Sequence, residues 1–189
     1  GMVRITAGEF KGRRLTVPKG RDIRPTQDRV REALFSMLAG AVPGCRFLDL
    51  YAGTGAVGLE AMSRGAEHVC WVESNRRSLA CLRRNVGGLC GALRGTVVPL
   101  PVHRFLASGG GCAYDVAFAD PPYGSSGRDA PDALLCSLAK SGILRDDALV
   151  VVEASSVDAV SAAGGWTTVD VRDYGKTRLT FLARAPEAR

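Results

Sequence analysis

Histidine is scarce in this chain. Only His68 and His103 occur in 189 residues. The six cysteines (Cys45, Cys70, Cys81, Cys90, Cys112 and Cys136) form no C-x-x-C pair. Zinc ligation by closely spaced thiolates and imidazoles is therefore excluded, and no metal is expected. Several cysteines fall inside apolar runs, where a thiol serves as a small buried hydrophobe, and this points to a reducing, cytoplasmic compartment. No apolar run is long enough to span a bilayer, so no membrane partner is expected. The basic, polar start of the chain has no signal-peptide core. Aromatic residues make up only 6%. Against that, 46% hydrophobic and 23% charged residues are ordinary for one globular domain with a sizeable core. A monomer is expected.

Positive charge is present, and it is concentrated. The net charge is +6, and residues 4–31 carry nine Lys or Arg against three acids, while the rest of the chain is balanced. A segregated basic stretch suits a polyanionic partner, and Lys11, Arg13, Arg14, Arg21, Arg24 and Arg29 are its candidate nucleic-acid contacts. The strand-like pieces 3–6 and 14–17, joined by a glycine turn at 8–12, predict a small basic hairpin over residues 1–25. A main domain follows over 26–189. Thr26 is a good N-cap, and Val30, Ala33, Leu34, Met37 and Leu38 form one apolar helical face, with Arg29, Arg31 and Glu32 expected to point elsewhere.

The chain is organised around Phe47-Leu48-Asp49-Leu50-Tyr51-Ala52-Gly53-Thr54-Gly55-Ala56-Val57-Gly58. An apolar strand runs into a glycine-rich turn and then into a helical pattern. Such a turn brings backbone N–H groups and a helix N-terminus close to a ligand. Twenty residues after Gly53, Glu73 ends a second apolar run, where a carboxylate holds ribose hydroxyls. Asp49, Tyr51, Ala52, Gly53, Thr54, Gly55 and Glu73 therefore read as a nucleoside-cofactor site. The string Gly53-x-Gly55-x-x-Gly58 also fits the dinucleotide fingerprint, which leaves an NAD-dependent oxidoreductase as an alternative. Asp49, within the strand, suits a cationic ligand better than a pyrophosphate.

Asp120-Pro121-Pro122-Tyr123 follows a later strand. The exocyclic amine of a nucleobase is a weak nucleophile because its lone pair is delocalised into the ring. Two acceptors aimed at its N–H bonds, the Asp120 carboxylate and the Pro121 carbonyl, would free that lone pair. Tyr123 offers a stacking face. Further βα units and a closing hairpin predict an α/β fold: a mostly parallel, Rossmann-like sheet with an antiparallel terminal hairpin. A helix is expected over about 75–86, stopped by Gly87-Gly88.

Taken together, these motifs resemble the RsmD-type family of bacterial 16S rRNA (guanine-N2)-methyltransferases, across nearly all of residues 3–184. The most specific string is Arg24-Pro25-Thr26-x-Asp28-Arg29-Val30-Arg31-Glu32-Ala33-Leu34-Phe35. The resemblance implies a class I methyltransferase fold and S-adenosyl-L-methionine as cofactor. It also implies methylation of a guanine N2 amine in ribosomal RNA, within assembled small subunits. Thr26 and Asp28, with Arg24, would lie over the cofactor or the target base. Pro101 stands where such enzymes often place an Asp against the adenine, so Phe105 is expected to pack there instead. An N6-adenine methyltransferase remains an alternative, because Asp-Pro-Pro-Tyr serves that amine equally well.

Overall fold

Short apolar strands alternate with amphipathic helices along most of the chain, and that alternation folds into one sheet covered on both faces. A computed structural model describes residues 2–20, 26–89, 94–111, 113–122 and 124–186, without the side chains of residues 26 and 27. The elements, in order, are β1 (Val3–Arg4), β2 (Arg14–Leu15), α1 (Thr26–Met37), β3 (Arg46–Leu50), α2 (Ala56–Ser63), β4 (His68–Val72), α3 (Arg76–Leu89), β5 (Gly95–Val98), α4 (Val102–Ser108), β6 (Tyr114–Ala119), a 3-10 turn at Gly127–Asp129, α5 (Pro131–Ser141), β7 (Leu144–Ser155), β8 (Trp166–Tyr174) and β9 (Thr177–Arg184).

β1 and β2 pair as the expected hairpin. The main sheet has the order β5-β4-β3-β6-β7-β9-β8. Its first five strands are parallel, and β9 runs antiparallel between β7 and the edge strand β8. The chain winds outward from β3 to β5 and then returns to β6. A crevice therefore opens between the carboxyl ends of β3 and β6, where open α/β sheets bind ligands.

Alternation along the strands divides the core in two. Phe47, Val69, Trp71, Val116, Phe118 and Val151 face a layer made by α1, α2, α3 and the hairpin residues Val3, Ile5 and Leu15. Leu48, Leu50, Cys70, Val72, Ala117, Ala119 and Val152 face α4 and α5. Among the described residues no helix is long and apolar enough to cross a membrane.

Three features differ from the sequence reading. The α3 helix continues through Gly87 and Gly88 to Leu89. The cost of glycine in a helix, about 1 kcal/mol each, is offset by Val86 and Leu89 packing on the core. The short α4 carries no strong periodic signal, and Pro101 starts it with φ −58°. Arg31, expected on an outer face, is buried at 5% exposure.

Arg31 is buried because Glu60, on α2, is fully buried beside it. The Glu60 carboxylate accepts from Arg31 Nε at 3.1 Å, Arg64 Nε at 3.2 Å, Thr6 N–H at 2.9 Å and Ala7 N–H at 3.2 Å. The Arg31 guanidinium also donates to the Arg4 carbonyl and to Asp28 Oδ1. One acid thus ties the hairpin, α1 and α2 together. Removing one partner of such a pair leaves an uncompensated buried charge. Arg31→Ala is expected to lower the unfolding free energy by about 3–5 kcal/mol. Asp28→Ala, at the half-exposed end of the same network, is expected to cost less than about 1 kcal/mol. Urea denaturation of the two variants checks the contrast.

Candidate functional site

The glycine loop begins in a strained conformation. Tyr51 is the one non-glycine among the described residues with positive φ, at 55°. Such a left-handed residue persists only where its surroundings hold it. The Tyr51 hydroxyl donates to Asp129 Oδ1 at 2.7 Å, so the loop after β3 is latched to the segment that follows the Asp-Pro-Pro stretch. Burial and the Asp129 carboxylate push the Tyr51 pKa well above its ordinary value. Gly55 has φ 86° and precedes α2, and its carbonyl accepts from Trp71 Nε1 at 3.2 Å. Gly58 is required by packing: a Cβ there would lie 2.2 Å from Trp71 Nε1. The third glycine of the motif thus lets α2 settle on β4.

Asp49 is 1% exposed and its Oδ2 accepts from the Gly58 N–H at 2.9 Å. Burial raises its pKa strongly, the Gly58 hydrogen bond opposes this, and Asp120 and Glu73 add to the rise. Glu73 holds the loop from the next strand. One carboxylate oxygen accepts from the Gly53 N–H at 2.7 Å, and the other from Ser74 and Asn75 N–H. A carboxylate has about four acceptor positions, so Glu73 keeps capacity for a ligand hydroxyl. Buried Asn85, on α3, donates to the Thr54 and Thr16 carbonyls and accepts from the Thr16 N–H, which fixes the loop against the hairpin's end.

Asp49, Tyr51, Ala52, Gly53, Thr54 and Asp120 line one cleft of about 230 Å³. A second cavity, of about 290 Å³, is lined by Asp120, Pro121, Pro122, Ser125 and Ser155 among others. Pro122's carbonyl accepts from the Ser125 N–H at 3.1 Å. Phe105 is half-buried and packs against the layer under α4 and α5, as do Tyr51 and Val98. Asp28 is turned to Arg31. Tyr123, Arg21 and Arg24 lie outside the described residues, as does the side chain of Thr26. Lys11, Arg13, Arg14 and Arg29 are exposed, and Arg13 also donates to the Gly88 carbonyl at 3.2 Å.

Sequence reasoning missed Arg31, Val3, Val17 and Pro18, which line the first cleft, and Glu153, which lines both cavities. The signal for Glu153 was present: like Asp49, Glu73 and Asp120, it is an acid at the end of an apolar parallel strand. A nucleoside cofactor bearing a cationic sulfonium fits this acidic, loop-framed cleft. Among the described residues no cluster of three metal-ligating side chains occurs.

Asp120 sits at the open mouth between the cavities, reached by water yet with protein on most sides. Desolvation pushes its pKa up to about 6. Glu153 is raised to about 8 by desolvation and by the Asp120 charge. Adjacent carboxylates of this kind titrate as a pair. The native pair keeps a proton that the unfolded chain has already released. Its stabilising contribution is complete below the unfolded pKa near 4 and is lost as pH rises toward about 8. The melting temperature of the wild type is therefore expected to fall between about pH 5 and about pH 8.5, and the Asp120→Asn/Glu153→Gln double variant is expected to flatten that fall. Thermal melts across the range check it.

A family model described as conserved hypothetical protein 95 matches residues 3–183. The ribosomal RNA small subunit methyltransferase D of Escherichia coli (strain K12) is 39% identical over 153 residues, covering 81% of this chain and 75% of that protein. The protein of the same name from Haemophilus influenzae is 32% identical over 177 residues, covering 93% and 90%. The solved structure of yhhF from Escherichia coli superposes with a TM-score of 0.83 at 34% identity, covering 99% of this chain and all of that one.

Proposed function

The chain belongs to the RsmD family, described as conserved hypothetical protein 95, and from that premise we propose that it methylates the N2 amine of a guanine in small-subunit ribosomal RNA, using S-adenosyl-L-methionine. The observation that carries this reading is the position of Asp120. It stands where the loop-framed cleft meets a second cavity, at the carboxyl end of β6, and no hydrogen-bond donor among the described residues reaches its carboxylate.

The cofactor, when bound, supplies a methyl group already activated by the sulfonium, so the protein's task is positioning. Glu73 takes a ribose hydroxyl on its remaining acceptor capacity. The backbone of Tyr51 to Gly55 and the buried carboxyl of Asp49, which a cation beside it favours in the ionised form, frame the cationic part. Phe105 packs at the adenine end, and Thr26 and Asp28 cover the ligand from α1. Asp120 accepts one N–H of the target amine. The Pro121 carbonyl accepts the other, since the Pro122 carbonyl is occupied by Ser125. These acceptors turn the nitrogen lone pair toward the methyl carbon, and Tyr123 stacks on the base. The protein acts as a monomer in the cytoplasm, on assembled small subunits.

The basic hairpin of residues 1–25 serves as an extension for RNA. Its turn is docked on the end of α2, where the Phe10 N–H donates to Ser63 Oγ at 2.9 Å. Eight residues of helix separate that point from the glycine loop, about 12 Å at 1.5 Å per residue. Arg13 of the hairpin meets the end of α3 at Gly88, and Arg76, Arg77, Arg83 and Arg84 of that helix are exposed and form no salt bridge among the described residues.

Tritiated cofactor, offered with small subunits from an enzyme-deficient strain, free ribosomal RNA and genomic DNA, tests the reading. Label in N2-methylguanosine from small subunits is the expected result, whereas label in N6-methyladenine would replace the substrate. Asp120→Ala is expected to lower turnover at least 100-fold, an effect of the size seen when a group positioning the reacting atoms is lost, with cofactor affinity nearly unchanged. Neutralising Lys11, Arg13 and Arg14 together is expected to weaken RNA binding and to reduce the slope of log affinity against log salt by about 2–3, measured by filter binding.

A further inference from the structure

The two cavities share two lining residues, Asp120 and Glu153. Ala119 and Val152 are register partners in parallel strands, so the next residue on each strand sets the backbones of Asp120 and Glu153 side by side at the strand spacing of about 4.8 Å. Alternation puts both on the face of Phe118 and Val151. Asp49 and Glu73, the other acids at this edge, are taken up by loop N–H groups. No described residue donates a hydrogen bond to Glu153. The second cavity beside it is walled by Pro121, Pro122, Pro131 and Ala154, with Ser125 and Ser155 among its polar groups. Asp120, Glu153 and the exposed Asp158 supply the carboxylates of this wall.

We infer that Glu153 reads the Watson–Crick edge of the target guanine, accepting its N1–H while Asp120 accepts an N–H of the N2 amine. The inference rests on the guanine reading above. Guanine presents N1–H and N2–H side by side, a donor row matching two adjacent carboxylates. Adenine presents an acceptor at N1, so it offers an ionised Glu153 no donor and does not replace the pair's proton. The empty pair holds a proton because burial raises both groups. Donors from the base favour the ionised form and replace that proton. Glu153 is thus a specificity and positioning residue: it sets the plane and register of the base so that N2 meets the methyl carbon.

The test uses 2-aminopurine, which keeps the exocyclic amine but has a ring-nitrogen acceptor in place of N1–H. The guanine labelled by the wild type is mapped, and small subunits are reconstituted with 2-aminopurine at that position. Wild-type kcat/KM is expected to fall about 10–100-fold on the substituted subunits. Glu153→Ala is expected to be slow on guanine and to treat the two bases within about threefold. Glu153→Gln keeps the side chain's shape, and its amide can donate as well as accept, so it is expected to narrow the discrimination in the same way. Unchanged discrimination in both variants would overturn the role of Glu153 while leaving the guanine reading standing. Absence of wild-type label in guanine N2 would overturn that reading first, and this inference with it.

Discussion

Side chains alternate every two residues along a strand, and parallel neighbours pair in register. These two constraints determine the site. Asp49 on β3, Glu73 just beyond β4, Asp120 just beyond β6 and Glu153 on β7 all fall on the face that carries Phe47, Trp71, Phe118 and Val151. Because the strands share a direction, the acids gather at one edge. Because the winding reverses between β3 and β6, that edge opens into a crevice rather than being closed by a connection. A one-residue slip in any of these strands would turn its acid to the opposite face, into the layer under α4 and α5.

Gathering acids in a partly buried place is costly, and the structure offsets the cost differently at each position. Asp49 and Glu73 accept from backbone N–H groups of the glycine loop and its neighbours, and these hydrogen bonds hold the loop in shape. Asp120 and Glu153 receive no such donors from the described residues and hold a proton instead, as their raised pKa values express. The first pair is held by the glycine loop. The second pair is left without such donors where the two cavities meet.

A second buried acid does a different job. Glu60 gathers Arg31, Arg64 and the backbone of Thr6 and Ala7, which seats the N-terminal hairpin and α1 on α2. Val3, Val17, Pro18 and Val30 thereby become walls of the cleft. The hairpin strands are joined to the rest through the same apolar layer, by Val3, Ile5 and Leu15.

Much of this was determined by sequence alone. Local rules suffice for the strand-turn-helix at Phe47–Gly58, the acids at 73 and 120, the helix from Thr26 and the basic hairpin, because periodicity, glycine and charge act over a few residues. Which residues meet across the fold was decided only by tertiary structure. Arg31 looks like a surface arginine until Glu60, twenty-nine residues away, is packed beneath it. Gly58 looks like a phosphate-loop glycine until Trp71 is found against it. Glu153 looks like the end of an ordinary strand until pairing with β6 sets it beside Asp120. In each case the deciding interaction is a contact between segments distant in sequence, and its energy comes from burial that no single segment creates.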